Sequence, residues 1–394
     1  MHIAIVAAYW HYPEVAYELP KRLADRGHQV DAIIGGPNAH STVKERVTER
    51  FTVYRIPAIN LALPFDSNQK YPYVLGLRHL ISRLEPEIVE CQSHLFLPTI
   101  QAGRVASDLG VPNMVTVHGV RAERGFAPDL AQYAYLYTLG SRVFKKADLV
   151  RCLTETDMVE ILKYGCAKEK VRIIPNAVDV ELFRPNSEKE EQNLVLWVGR
   201  FVREKGLECL IEAAKKVVDN RKETIFMLVG DGPLKGKITA MVDQLGLSRN
   251  VILTGVMKHD QLPEIMQKAS VFAFPSLREG MPLALLEAMA CGKPVISTSL
   301  SGLKELVNHR QNGLLFPLGD SDALADSILT LLSDMHLRSE LGRNARDTIV
   351  KKHSWDQVVN QLENAYEEAI SNRSTLTSKR KRMGSPILSW TSIA

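Results

Sequence analysis

The sequence predicts an α/β protein of two domains, each a doubly wound parallel β-sheet with helices on both faces. Three observations predict this fold class. Short apolar runs alternate with helical patterns along the chain, which is typical of parallel sheets. The 394 residues exceed what a single hydrophobic core usually holds. A charged run, Glu188 to Glu191, interrupts the apolar pattern near residues 184–193 and indicates a seam between two halves.

The candidate strands are short, apolar and regularly spaced in both halves. In the first half they are His2–Ala7, Gln29–Ile34, Phe51–Ile56, Ile88–Cys91, Asn113–Val117, Leu149–Leu153 and Val171–Ile174. In the second half they are Asn193–Val198, Thr224–Val229, Val251–Thr254, Ser270–Phe274, Pro294–Thr298 and Gly313–Phe316. Helical patterns between them include Ala16–Arg26 and Tyr71–Leu84.

These elements predict four segments. A first domain covers residues 1–185 and a second covers residues 186–353. A last helix over residues 354–370, with Ser354 as its cap, is expected to return to the first domain. A basic tail over residues 371–394 is predicted to be disordered.

Composition and charge argue against several function classes. The hydrophobic fraction is 45% and the charged fraction 24%, which are ordinary values for a soluble globular protein. The net charge is +4, but five of the 49 basic residues lie after residue 371, which leaves 44 against 45 acidic residues. A neutral body argues against a nucleic-acid-binding surface. The tail cluster Lys379–Arg382 is either a solvated terminus or a weak tether to anionic lipid.

The chain shows no targeting, membrane-spanning or metal-binding pattern. No run of 18 apolar residues occurs, and the start of the chain lacks the features of a signal peptide. We therefore expect a cytoplasmic protein, peripheral at the inner face of the membrane if the tail binds lipid. The five cysteines show no CxxC spacing and no HxxxH pattern occurs, so that no metal site is predicted.

The segment Phe274–Pro294 is the most informative part of the chain. It places two carboxylates, Glu279 and Glu287, around a predicted helix start at Pro282, because proline suits the first helical position. The N–H groups that open such a helix attract phosphate. They are expected from Gly280, Met281 and Leu283. Since carboxylates also accept hydrogen bonds from hydroxyls, this segment suits a sugar that carries phosphate.

A second loop of interest follows the strand Asn193–Val198. It contains Arg200 and Lys205, just before Gly206 and a predicted helix. In open α/β sheets, ligands bind beyond the carboxyl ends of the strands. A planar guanidinium and a mobile ammonium at this place could clamp a diphosphate. Cations in loops are also often only solvated, so that the loop alone leaves both interpretations open.

Two familiar nucleotide-binding motifs are missing from the sequence. The segment Gly230–Lys237 fails as a Walker loop, because Ile238 stands where a magnesium-binding hydroxyl is needed. No GxGxxG follows the first strand, which argues against a nicotinamide or flavin site.

His118 and His94 each follow a predicted strand, and each is either a ligand contact or a packed or surface residue.

Taken in chain order, these motifs resemble those of retaining glycosyltransferase family 4, the glycosyl transferases group 1. The resemblance covers most of the chain, from the turn at Arg26 to the final helix with Trp355, and is strongest over Val198–Val307. It includes the closing motif Gly302-Leu-Lys-Glu305. The resemblance implies the GT-B fold, in which two Rossmann-like domains face a cleft between them.

The resemblance implies how a donor nucleotide sugar would be bound. Arg200 and Lys205 would bind the donor diphosphate, and Glu287 would bind the ribose. The N–H groups of Gly280, Met281 and Leu283 would assist. Asn176, in the segment between the domains, is expected to have a mainly structural role.

The resemblance also implies the reaction. His118 and Glu279 would contact the transferred sugar, His118 near the reacting carbon and Glu279 through its hydroxyls. The enzyme would move a hexosyl group from a nucleoside-diphosphate sugar to a hydroxyl of a glycan, lipid or small molecule, with retention of configuration. Neither a metal ion nor a cofactor is expected.

One departure from the family pattern concerns the loop Tyr9–Ala16. Family members often carry a glycine pair there, and this chain has none. The acceptor side would then be shaped by larger side chains, namely Trp10, His11, Tyr12 or Glu14. Three alternatives to a transferase stay open: an epimerase of nucleotide sugars, a sugar phosphorylase of the same fold, and an inactive nucleotide-sugar-binding protein.

Overall fold

The chain folds into two compact units. The structure is a computed structural model that describes residues 1–8, 13–36, 41–63, 66–120, 126–186 and 190–382. The first unit comprises Met1–Cys152, Val159–Arg172 and the chain from Val359, and the second comprises Leu153–Met158 and Ile173–Val358. The chain passes into the second unit at Ile173, before the predicted domain boundary at residue 185. The residues between these two points belong to the second unit, since Val178 and Phe183 are buried among its hydrophobic residues.

The first sheet is mainly parallel. In the described residues its strands are β1 (His2–Ala7), β2 (Gln29–Gly36), β3 (Val43–Arg46), β4 (Phe51–Leu63), β5 (Asp66–Val74), β6 (Ile88–Gln92), β7 (Asn113–Val117), β8 (Leu149–Cys152) and β9 (Val171–Ile173). The helices between them are α1 (Pro13–Asp25), α2 (Leu77–Leu84), α3 (Leu97–Leu109), α4 (Phe126–Tyr135), α5 (Ser141–Lys146) and α6 (Glu155–Lys163). The strand order is β3-β4-β2-β1-β6-β7-β8-β9, with β5 paired to β4.

Two strands at the edge of this sheet differ from the prediction. All four residues of β3 are exposed, so that no apolar run marks it in the sequence. The strand β5 takes up the first part of the predicted helix Tyr71–Leu84, which begins only at Leu77, after Gly76 with φ 74°. Both strands pair antiparallel with β4.

The second sheet is parallel throughout its described pairs. Its strands are β10 (Leu194–Val198), β11 (Ile225–Val229), β12 (Val251–Gly255), β13 (Val271–Phe274), β14 (Val295–Thr298) and β15 (Leu314–Phe316), in the order β12-β11-β10-β13-β14-β15. The helices are α7 (Leu207–Asn220), α8 (Lys235–Gln244), α9 (Leu262–Lys268), α10 (Leu283–Ala290), α11 (Ser301–Lys304), α12 (Ser321–Ser333), α13 (Met335–Lys352) and α14 (Trp355–Arg382).

The strand β10 is buried on both faces. Val195 and Trp197 belong to one hydrophobic cluster, whereas Leu196 belongs to another. Since successive side chains of a strand point to opposite faces, the two clusters lie on opposite sides of the sheet. Burial on both faces explains why this strand reads as one apolar run. Each buried side chain of this size stabilises the fold by about 1.5–3 kcal/mol.

The last helix, α14, is joined to the rest of the first unit through polar side chains. Glu363 accepts a hydrogen bond from Arg26 Nε at 3.0 Å, and its Oε1 lies 2.8 Å from His28 Nε2. The hydroxyl of Tyr366 donates to Glu90, which is fully buried. These contacts connect the end of the chain to the turn that follows α1 and to the interior of the first sheet.

The helix α14 extends beyond residue 370, where the sequence predicts that it ends. It continues to Arg382, because residues 371–382 contain neither glycine nor proline to end it. Arg373 Nη1 donates to Asp148 Oδ1 at 3.2 Å, which holds this part of the helix to the first unit. Residues 383–394 lie outside the described residues.

The strand order of the second sheet reverses between β10 and β13. A crevice opens at such a switch point, beyond the carboxyl ends of the two strands. The loops that follow them, residues 199–206 and 275–282, approach each other at Gly206. Its φ is +65°, and a Cβ there would lie 2.0 Å from the carbonyl oxygen of Pro275. Only glycine permits this approach.

We expect Gly206→Ala to destabilise the second unit more than Gly246→Ala does. Both glycines have a left-handed φ, which costs other residues about 1–3 kcal/mol. Gly246 has no atom within 4 Å of an added Cβ, whereas Gly206 has the Pro275 carbonyl group there. The overlap adds about 1–3 kcal/mol to the cost. The measurement is the thermal unfolding midpoint of each variant, and equal midpoints would contradict this account of the loop.

Candidate active site

Lys205 and Glu279 meet at the carboxyl ends of β10 and β13. Lys205 Nζ donates to Glu279 Oε1, and Ser276 Oγ donates to the same oxygen at 3.0 Å. Lys205 Nζ also lies 5.6 Å from the centroid of the Phe274 ring. The Lys205 and Glu279 side chains are 24% and 12% exposed. The pair is therefore partly shielded but still open to a ligand.

Both members of this pair keep unused hydrogen-bonding capacity. An ammonium carries three N–H donors, so that Lys205 can hold Glu279 and a phosphate oxygen at once. In the described part of the chain, Glu279 Oε2 has no hydrogen-bond partner and can accept from a hydroxyl. Together the two side chains suit a ligand in which phosphate and hydroxyl groups are neighbours.

The helix α10 begins four residues after Glu279, one residue later than predicted. Pro282 has φ −77° and ψ 126°, so that it is the N-cap and not the first helical residue. No side chain caps this end, and the N–H groups of the first turn, from Leu283 onward, are left for a ligand or solvent. Gly280 and Met281 therefore lie in the preceding loop. Gly292 follows the helix with φ +69°.

Asn176 holds the loop before α10. Its Nδ2 donates to the Met281 carbonyl oxygen at 3.0 Å, and its backbone N lies 3.2 Å from Met281 Sδ. His353 Nδ1 lies 3.2 Å from the carbonyl oxygen of Asn176. The structural role expected for Asn176 thus takes a definite form, since it fixes the backbone that leads into the helix.

Glu287 pairs with a histidine that the sequence analysis missed. Glu287 Oε1 lies 2.7 Å from His259 Nε2, and the Glu287 side chain is only 8% exposed. Since an ionised carboxylate only accepts, Nε2 carries the proton of this bond. The His259 ring lies 5.2 Å from the Phe183 ring. His259 follows β12, so that its place after a strand end was the one available signal.

Arg200 lies in the same loop as Lys205 and is exposed. Its guanidinium has no hydrogen bond or ion pair with any residue that the structure describes. The Gly230–Pro233 turn supports this loop, because a Cβ on Gly230 would lie 1.8 Å from the Gly199 carbonyl oxygen and Phe201 N donates to Asp231 O at 2.9 Å. The turn thus packs against the arginine loop.

The two strand-end histidines of the first unit differ in environment. His94 is fully buried, its Nε2 lies 3.2 Å from the Val120 carbonyl oxygen, and burial lowers its pKa to about 4. His118 is exposed, and its Nε2 lies 2.7 Å from Gln92 Oε1. Desolvation by surrounding protein, with smaller effects of Arg151 and His94, lowers the pKa of His118 to about 4. Because His118 is exposed, its desolvation is limited. The ring is mainly neutral at pH 7 whether its pKa is lowered or stays at the ordinary histidine value of about 6.5. His94 is a packed residue, whereas His118 is accessible.

Some residues that the sequence analysis names lie outside the described ranges. Trp10, His11 and Tyr12 are not among the described residues, and of Glu14 only the helical backbone is described. Over the described ranges, no group of three or more His, Cys, Asp or Glu side chains could hold a metal ion. No helix of those ranges is long and apolar enough to cross a membrane.

Comparison with known proteins identifies the family. The model for Glycosyltransferase Family 4 matches residues 14–182, and the model for Glycosyl transferases group 1 matches residues 179–348. An uncharacterized glycosyltransferase of Methanocaldococcus jannaschii is 30% identical over 302 residues, 74% of this chain and 81% of that protein. This chain belongs to the group 1 glycosyltransferases. The family predicted from the sequence is confirmed.

The likeness of this glycosyltransferase to known proteins extends over nearly the whole chain. The D-inositol 3-phosphate glycosyltransferase of Acidothermus cellulolyticus is 28% identical over 92% of this chain and 86% of its own length. Among solved structures, HepE of Anabaena in complex with UDP is 18% identical, covers 93% of this chain and 100% of its own, and has a TM-score of 0.75. The predicted fold class, two parallel-sheet α/β domains of the GT-B type, is confirmed.

We expect His259→Ala to lower the free energy of unfolding of the second unit by about 1–3 kcal/mol, because the buried Glu287 carboxylate loses its partner. In a Glu287→Gln background the same change should cost less, by at least about 0.5 kcal/mol, because no buried charge is then left unpaired. Denaturant unfolding measures both costs. His336→Ala, at an exposed position of α13, is the control. Equal costs of His259→Ala in the two backgrounds would show that the pair is not coupled.

Proposed function

We propose that this glycosyltransferase moves a sugar from a nucleoside-diphosphate sugar to a hydroxyl acceptor, with retention of configuration and without a bound metal ion. The Lys205–Glu279 pair carries this proposal, since it presents a cation and a carboxylate side by side at the switch point of the second sheet. UDP is the nucleotide to test first, because HepE of Anabaena was solved with it. The acceptor is a glycan, a lipid or a small molecule such as the polyol phosphate in the name of the Acidothermus relative.

In this proposal the donor is held by groups of the second unit. Lys205 and Arg200 bind the diphosphate, and the first turn of α10 from Leu283 contributes N–H groups. Glu279 accepts hydrogen bonds from hydroxyls of the transferred sugar through Oε2. Glu287 accepts from the ribose, and His259 keeps its carboxylate oriented. The N–H groups of Gly280 and Met281 lie in the loop that Asn176 fixes.

The proposed reaction places negative charge on the leaving diphosphate. The bond from the anomeric carbon to the phosphate oxygen breaks, the acceptor hydroxyl forms a bond to that carbon on the same face, and its proton passes to the departing phosphate. No protein base is required for this transfer. Arg200, Lys205 and the N-terminal end of α10 stabilise the developing negative charge. Stabilisation of this kind is often the largest contribution to catalysis. His118 and Glu279 act as catalytic residues by contacting the transferred sugar.

The proposed function is tested by ligand stabilisation and product analysis. We expect UDP at 100 times its dissociation constant to stabilise the protein by about 2.7 kcal/mol, which a thermal shift measures. With a UDP-sugar and a panel of hydroxyl acceptors, transfer should give the donor's anomeric configuration by proton NMR and should persist after EDTA treatment.

Other outcomes of this test would contradict the proposal and indicate an alternative. An isomerised sugar that stays on the nucleotide indicates an epimerase, and dependence on inorganic phosphate indicates a phosphorylase. Binding of UDP without turnover on any acceptor indicates an inactive binding protein. Loss of transfer with EDTA would contradict metal independence.

We expect the double variant Arg200→Ala, Lys205→Ala to lower kcat/KM by about 10²–10³-fold, as loss of one preorganised donor to a developing anion does in other enzymes. The matched control is Arg203→Ala, which removes an exposed arginine from the same loop and should leave the rate nearly unchanged. Steady-state transfer assays measure both. Near-normal transfer by the double variant would contradict the assignment of the diphosphate site.

A further inference from the structure

Polar side chains follow one face of three neighbouring strands in the first unit. Glu90 and Gln92 lie two residues apart on β6, so that both point to the same face. Thr116 on β7 lies next to Gln92 on β6 and next to Arg151 on β8 in the strand register. His118 follows Thr116 by two residues, at the carboxyl end of β7. A parallel sheet of this type normally buries apolar side chains on both faces, and this row departs from that rule.

The buried end of the row is the Glu90 carboxylate. Glu90 is 0% exposed. Its Oε1 accepts from Thr116 Oγ1 at 2.7 Å and from Gln92 Nε2 at 2.8 Å, and its Oε2 accepts from the Tyr366 hydroxyl. Arg151, 4% exposed, interacts electrostatically with it. A buried cation therefore lies near Glu90, and three donors surround its carboxylate.

The direction of each hydrogen bond in the row follows from this carboxylate. Gln92 Nε2 donates to Glu90 Oε1, so that the other end of the amide, Oε1, is turned toward His118. An amide oxygen also accepts only. His118 Nε2, 2.7 Å from that oxygen, must therefore carry a proton. In the neutral ring the lone pair then lies on Nδ1.

We propose that Gln92, oriented by Glu90, is a positioning residue that holds His118 in the Nε2–H tautomer, so that Nδ1 accepts a hydrogen bond from a hydroxyl of the transferred sugar. The ligand named here rests on the proposed function. The tautomer does not, because it follows from contacts within the first unit. Neither Gln92 nor Glu90 needs to touch the sugar.

The opposite tautomer is disfavoured by the same contacts. It would place the Nε2 lone pair against Gln92 Oε1, so that two acceptors would face each other without a proton. A sugar hydroxyl would then meet an N–H group at Nδ1 and could bond only through its oxygen. The row therefore selects which kind of hydrogen bond His118 offers.

A purely structural role explains the row less well. Burying a charged pair costs desolvation, and well-packed apolar side chains often stabilise a fold equally well or better. The row also ends at an accessible imidazole rather than within the core. A chain of oriented bonds that runs from a buried charge to an accessible ring is the arrangement expected where the ring must be held in one state.

The test compares the ring nitrogens of His118 in the wild-type protein and in two variants. Gln92→Met removes the amide and keeps the length of the side chain. Thr116→Val removes a different hydrogen bond to the same Glu90 oxygen and keeps the shape, so that it is the matched control. Nitrogen NMR on protein with 15N-labelled histidine reports the tautomer, and His118→Asn assigns the signal by its loss. Transfer kinetics with the donor accompany it.

We expect wild type and Thr116→Val to show the Nε2–H tautomer, and Gln92→Met to show a mixture of tautomers. We also expect kcat/KM to fall about 5- to 30-fold in Gln92→Met, the equivalent of one hydrogen bond, and by less than about twofold in Thr116→Val. An Nδ1–H tautomer or an even mixture in the wild type overturns the proposal, and this arm stands even if Gln92→Met fails to fold. An unchanged tautomer in Gln92→Met, or equal rate losses in the two variants, overturns it as well. If the wild-type protein transfers no sugar, the proposed function fails while the NMR result still decides the tautomer.

Discussion

The close approach of Gly206 to the Pro275 carbonyl group is the constraint on which the candidate active site depends. A side chain at Gly206 would overlap that carbonyl oxygen, so that only glycine lets the loops after β10 and β13 meet. The backbone N of Leu277 donates to the Glu204 carbonyl oxygen at 2.8 Å and joins the same two loops. Because the two strands flank the switch point, these two contacts between the loops place Lys205 beside Glu279. The parallel topology places a crevice at the switch point, and the close approach of the loops at Gly206 brings the two side chains together there.

The ion pair that results keeps hydrogen-bonding capacity for a ligand. Lys205 carries three N–H donors, so that it can bind a further anion while it holds Glu279. Ser276 Oγ donates to the same Glu279 oxygen at 3.0 Å and helps to orient the carboxylate. Glu287 differs, because it is 8% exposed and paired with His259. The two carboxylates therefore differ in their partners, which are a lysine and a serine for Glu279 and a histidine for Glu287.

Much of the fold could be predicted from the sequence because parallel strands are buried on both faces. The run that became β10 is apolar for that reason, and its end was predicted correctly at Val198. The edge strand β3 is exposed along its length and left no such signal. His259 escaped notice because its link to Glu287 joins residues 28 apart on different elements, and no local spacing encodes it. Lys205 and Glu279 were predicted separately, but their pairing depends on the tertiary approach at Gly206.

The Glu90 row could have been predicted from the sequence by the same rule that found the strands. In Ile88-Val-Glu-Cys-Gln92 a charged residue interrupts what should be a continuous apolar strand, and Thr116 and His118 repeat the two-residue spacing on the next strand. A buried charge in a parallel strand conflicts with the local pattern, and such conflicts concentrate at functional sites. His118 alone is a weak signal, because single histidines are common on surfaces. His118 at the end of a hydrogen-bonded row that starts at a buried carboxylate is a strong one, because each bond in the row has one permitted direction.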